Sequence, residues 1–185
     1  NDSTEGLHRV AEIVKGLKLF SRVDSDGVQL HNINDCVRTT LAMVNNQLKY
    51  VCTVETKLGN VPAVTMNIGK ISQVVTNLLI NAGQAVESTG VHGRVTISTV
   101  VVDDFVELRV EDTGCGIPQD NLDKLFNPFF TTKPEGQGTG LGLSISFGIA
   151  QEHGGRLSVT SEENEGSMFT LALPIVKDES DEPET

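Results

Sequence analysis

Long apolar runs are missing from this sequence. No stretch of its 185 residues approaches the ~20 apolar residues that a membrane-spanning helix needs, and the opening residues lack the basic-then-apolar order of a signal peptide. Cysteine is scarce as well. Cys36, Cys52 and Cys115 stand apart without CxxC spacing, which argues against a zinc site or a disulfide framework and for a reducing, cytoplasmic setting. Membrane attachment of a longer parent chain stays open. Positive charge is in deficit: 14 Lys and Arg face 25 Asp and Glu, a net charge of −11 that argues against nonspecific binding to nucleic acid or anionic lipid. Part of the acid excess lies in KDESDEPET, residues 177–185, read as an acidic disordered tail. The length suits one well-cored domain with an appendage.

What the sequence does have is glycine, gathered in two clusters around an aromatic turn in residues 112–142, DTGCGIPQDNLDKLFNPFFTTKPEGQGTGLG. Asp112 follows an alternating apolar run, so it belongs at a strand end, where a carboxylate can accept a hydrogen bond from an exocyclic amine. Gly114 and Gly116 let the backbone turn and approach a flat ring. Gly138, Gly140 and Gly142 precede an apolar-periodic run over 143–150 that reads as a helix. Successive N–H groups opening a helix make an anion site. Between the clusters, Phe126, Phe129 and Phe130 are expected to anchor a mobile segment. Lys133 is the obvious cation for a phosphate, and a solvated lysine is the competing reading.

Elsewhere the periodicities are clear. Leu7, Val10, Ile13, Val14, Leu17 and Phe20 form a narrow stripe over 6–22, suited to a bundle seam whose partner arm lies outside this helix. A polar, glycine-containing linker follows. Ile33, Val37, Leu41, Val44 and Leu48 predict an amphipathic helix capped near Asn32. Strands are expected over 50–56, 63–66, 95–102, 105–111, 156–160 and 167–174, with short helices over 118–126 and 144–153.

The helix expected over 68–87 carries a second constellation. Asn77 and Asn81 are spaced i, i+4 and project from one face amid Leu78, Leu79 and Ile80, in a largely buried setting, and Gln84 continues that face. Two readings stand for such a pair. The Asn oxygens can serve Mg²⁺, which keeps waters and bridges to phosphates, or both amides can satisfy internal hydrogen bonds.

Four boxes in order then resemble the catalytic ATP-binding domain of sensor histidine kinases, in the superfamily shared with gyrase, MutL and a heat-shock chaperone ATPase. NLLINAGQAV resembles the N box, DTGCGIP the first glycine box, LFNPFFTTKP the phenylalanine box and GQGTGLGLS the second glycine box. GLHRVAEIVKGLKLFSR resembles the second helix of the dimerisation bundle in nitrogen-regulator-type kinases. The phospho-acceptor box, a His followed by an acid and a Pro, is absent from these residues, and His8 reads as exposed helix surface.

The resemblance implies an α+β fold: a two-layer α/β sandwich whose mixed, mostly antiparallel sheet is covered on one face by helices and preceded by a single bundle helix. The implied divisions are a partial dimerisation helix over 1–24, a linker over 25–29, the ATP-binding domain over 30–176 and the tail. It implies that Asp112 accepts from the adenine amine, with Gly114, Gly116 and Ser167 shaping the base pocket. Asn81 would ligate Mg²⁺, supported by Asn77, with Gln84 reaching a phosphate. The backbone of Gly138, Thr139, Gly140, Leu141 and Gly142 would hold phosphates, joined by Lys133. It also implies a homodimer through the bundle and a response-regulator receiver domain as partner. Related ATPases carry a Glu one turn before the metal Asn; here that position is Asn77, so a histidine kinase is favoured over an ATP-hydrolysing relative of gyrase or MutL, and over a regulatory module without catalysis.

Overall fold

The computed structural model describes residues 27–134 and 138–176. The bundle helix expected over 6–22, His8, most of the linker and the acidic tail lie outside the described residues.

Strand β1 (Gln29–His31) pairs antiparallel with β3 (Val64–Met66). Helix α1 (Ile33–Leu48) starts where Asn32 caps it, its side chain accepting from Asn34 N at 2.9 Å, and it buries Ile33, Cys36, Val37, Val44 and Leu48 at helical spacing. Helix α2 (Ile68–Glu87) is capped the same way by Asn67, which accepts from Lys70 N at 3.0 Å. Strands β2 (Cys52–Leu58), β4 (Gly93–Val102), β5 (Phe105–Asp112), β6 (Arg156–Glu162) and β7 (Gly166–Pro174) form one sheet in the order β2-β4-β5-β7-β6. Among the described residues only the β2–β4 pair is parallel. The expected two-layer sandwich is therefore present.

Period-two alternation decides which side chains meet the helices. Val106, Leu108 and Val110 of β5 are fully buried, as are Val95 and Ile97 of β4 and Leu171 and Leu173 of β7. The opposite face is polar: Glu107 pairs with Arg109 at 2.7 Å and Arg156 at 3.6 Å, and Arg156 lies over the Phe105 ring. On the covered face α2 packs against α1, the sheet and α4 (Gly142–Glu152). Among the described residues no helix is long and apolar enough to cross a membrane.

Three local expectations differ. The strand read from residue 50 starts at Cys52, because Val51 N still bonds to Leu48 O and Tyr50 is exposed in the turn. The helix read over 118–126 is only α3 (Gln119–Leu122). Beyond it Lys124 N and Asn127 N reach back three residues, to Asn121 O and Lys124 O, and only Leu125 is buried, so nothing extends a helical face. Strand β1 begins at Gln29, the last residue of the stretch read as linker.

Long-range bonds hold α4 against α2, among them one at the far end of α4. His153, at the end of α4, accepts from Asn67 N through Nε2 at 3.0 Å, while its Nδ1–H donates to Ile149 O at 2.7 Å. Removing both bonds should loosen the helix layer. His153→Ala is expected to lower stability by about 2 kcal/mol in urea unfolding, the sum of two ordinary hydrogen bonds.

Candidate functional site

Register places Asp112 in the same parity as Val106, Leu108 and Val110, so its carboxylate enters the helix layer instead of solvent, and it is 4 % exposed. It pairs with Ser167 across β5–β7, and Ser167 shares the parity of Phe169 and Leu171. Oδ1 of Asp112 accepts from Gly114 N at 2.8 Å. Burial raises its pKa to about 6; the Gly114 and Ser167 N–H groups oppose that rise, and Glu111 adds to it.

Ser161 belongs to this group, although sequence reasoning missed it. Its hydroxyl donates to Gly166 O at 2.7 Å, accepts from Ile117 N at 2.9 Å and lies 3.0 Å from Ser167 Oγ. The signal was available in the hairpin register, which sets Ser161 opposite Ser167. The loop between Asp112 and Pro118 is stitched on both sides: Cys115 N donates to Ala85 O at 3.2 Å, and Asn164 N donates to Cys115 O at 2.7 Å. Gly116 has φ +66, and a Cβ there would lie 2.0 Å from Glu162 O. Its immediate reason is thus close approach to the β6–β7 turn.

The second group lines α2. Asn77 and Asn81 are half-buried and Gln84 is exposed, so this face borders the core without being sealed in it, a more open setting than the flanking leucines suggested. Asn77 Nδ2 donates to Ser146 Oγ at 3.0 Å. Lys133 Nζ donates to Asn81 Oδ1 at 3.3 Å and to Gln84 Oε1. Burial pushes the Lys133 pKa down. Gly142 touches this group, since a Cβ there would lie 2.3 Å from Asn77 Oδ1.

The segment holding Gly138, Thr139, Gly140 and Leu141 leads into α4, whose N-terminus has no side-chain cap. Thr139 Oγ1 accepts from Leu141 N at 3.3 Å, and Phe129 N donates to Gly140 O at 2.9 Å. Of the three phenylalanines, Phe126 is the anchor, with its ring 5.1 Å from that of Phe147 on α4. Phe129 is 72 % exposed and anchors nothing through its side chain. The two groups adjoin along α2, because Ala85, which holds the Asp112 loop, follows Gln84 directly.

The residues fit a nucleotide: a buried carboxylate with hydroxyls at one end, and at the other an uncapped helix N-terminus with amides and an ammonium. They also fit Mg²⁺. Asn81 Oδ1 already accepts a cationic group, the Lys133 ammonium. Among the described residues no cluster of three His, Cys, Asp or Glu could hold a metal.

The raised pKa of Asp112 has a sign that can be tested. The folded state holds its proton more tightly than an unfolded chain, so the contribution is favourable at low pH and is lost as pH rises from 3.8 through about 6. Up to about 3 kcal/mol is at stake. Urea unfolding at pH 5 and 7.5 should show about half of this decline in the wild type relative to Asp112→Asn.

Comparison with known proteins covers both groups. The family described as Histidine kinase-, DNA gyrase B-, and HSP90-like ATPase matches residues 66–177. The chain is 36% identical over 174 residues to the sensor histidine kinase ZraS of Escherichia coli (strain K12), covering 90% of this chain and 35% of that protein. It is 34% identical over 194 residues to the sensor kinase CckA of Brucella abortus (strain 2308), covering 95% of this chain and 20% of that protein. It thus spans about a third or less of these curated relatives. The nucleotide-free catalytic domain of histidine kinase ThkA superposes with a TM-score of 0.71 at 32% identity, over 80% of this chain and 96% of that one.

Proposed function

The chain belongs to the histidine kinase-, DNA gyrase B- and HSP90-like ATPase family, and from that premise we propose how its residues handle ATP and where the phosphate goes. Its globular part is the catalytic ATP-binding domain of a sensor histidine kinase. Asp112 accepts from the adenine N6 amine, with Gly114, Gly116 and Ser167 forming the base end. Gly138, Thr139, Gly140, Leu141 and Gly142 offer backbone N–H groups to the phosphates, joined by Lys133 and Gln84. Asn81 is the residue to hold Mg²⁺, whose part when bound is to neutralise phosphate charge; Asn77 supports that end.

The observation that carries the choice of reaction is Asn77. An amide hydrogen-bonded to Ser146 at 3.0 Å has no lone pair basic enough to deprotonate water. The nucleophile must then be brought in, and an imidazole held in line with the γ-phosphate suffices, because phosphoryl transfer asks the protein mainly to position groups and neutralise charge. No histidine among the 185 residues sits in a His-acid-Pro box. The acceptor is therefore a histidine on another helix of the dimerisation bundle, in a homodimeric full-length protein that passes phosphate on to a response-regulator receiver domain. The domain acts on the cytoplasmic side.

Guanine presents an oxygen where adenine presents N6, so calorimetric titration should find ATP clearly preferred over GTP. Asp112→Asn should weaken ATP binding by roughly 1.5–3 kcal/mol, the range for a hydrogen bond to a charged group. Equal affinities for the two nucleotides would overturn the adenine assignment.

The transfer itself is tested by mixing this chain, labelled ATP and the helical hairpin from its own parent protein. Label should reach the hairpin histidine only when both pieces are present. Steady ATP hydrolysis by this chain alone would favour the gyrase- or MutL-like alternative.

A further inference from the structure

Helix α4 presents Ser146, Ile149 and Ala150 as its buried residues. Two of these are apolar, as a core-facing position requires. Ser146 is not, although it is 1 % exposed. A hydroxyl at such depth costs free energy unless it is paired. Its pairing is with Asn77, whose Nδ2 donates to Ser146 Oγ at 3.0 Å.

That bond ties down one end of the amide. With the amide nitrogen engaged by Ser146, Asn77 Oδ1 is turned to Gly142, where an added Cβ would lie 2.3 Å from it. The two ends of a carboxamide are nearly the same size but opposite in chemistry: the oxygen accepts from water or meets a cation, whereas the NH₂ donates. A serine hydroxyl can donate or accept, so what the bond fixes is the place of the amide, with Nδ2 on Ser146 and Oδ1 toward Gly142.

We propose that Ser146 is a positioning residue for Asn77, holding its amide with the oxygen toward the glycine segment. The inference rests on the reading of Asn77 as part of the phosphate and metal end of the site. The far end of the same helix pair supports it. His153 fixes the end of α4 against Asn67 at the start of α2, so α4 has little freedom to slide and restore the contact once the hydroxyl is gone.

The test is a double-mutant cycle on this chain: wild type, Ser146→Ala, Asn77→Ala and the double variant, each titrated with AMP-PNP in Mg²⁺ and in EDTA. Ser146→Ala is expected to lower the Mg²⁺-supported affinity roughly fivefold, to leave the EDTA affinity nearly unchanged, and to have no further effect once Asn77 is Ala. The same loss in both backgrounds, or no loss in the single variant, overturns the proposal. Wild-type protein that binds no nucleotide overturns both the proposal and the reading beneath it. NMR gives a measurement that needs no nucleotide: the Asn77 side-chain NH₂ should lose its protection from exchange in Ser146→Ala. An unchanged signal counts against the role of Ser146.

Discussion

The azimuth of α2 is set by the side chains it buries. Ile71, Val74, Val75, Leu78, Leu79 and Val86 have no solvent contact, and large-to-small changes at such positions cost about 2–5 kcal/mol each. With that much at stake, the helix cannot rotate about its axis. Asn77, Asn81 and Gln84 are then left on the flank facing α4 and Lys133. The same constraint reaches the opposite end of the site, because Ala85 O holds the loop after Asp112 through Cys115 N. A rotation of α2 would move both ends at once.

Much of this was legible because it depends on local periodicity. Alternation in β4 and β5 placed Asp112 at a strand end, and helical spacing placed the two asparagines on one face. What sequence could not supply were the partners. Ser146 reads as one polar residue in an apolar helix until α4 is laid against α2, and Ser161 needs the β6–β7 register before it meets Ser167. Phe129 shows the opposite failure. Its type argued for burial, yet its backbone sits at φ +67 with N–H tied to Gly140 O, and that local geometry turns the ring outward.

The site also holds groups in states that cost folding free energy. A carboxylate is buried at Asp112 with backbone N–H groups as its neighbours, and the Lys133 ammonium is taken from water onto two neutral amide oxygens. Neither side chain has an opposite charge among these contacts. Such an arrangement is poor for a stability core, and under the proposed function a ligand carrying an amine at one end and phosphates at the other would bring each group a partner.

The parallel pair carries a consequence for how the chain reaches this fold. Cys52 pairs with Gly93, and every residue of α2 lies between them in sequence. An antiparallel hairpin such as β4–β5 can close through its own turn, but β2 can join β4 only after the chain has crossed over through β3 and the whole asparagine-bearing helix. Loop-closure entropy delays that contact relative to the hairpins. The edge of the sheet at β2 is therefore tied to the rest through the same helix that carries the asparagines, so one connection serves both the completion of the sheet and the placement of Asn77 and Asn81.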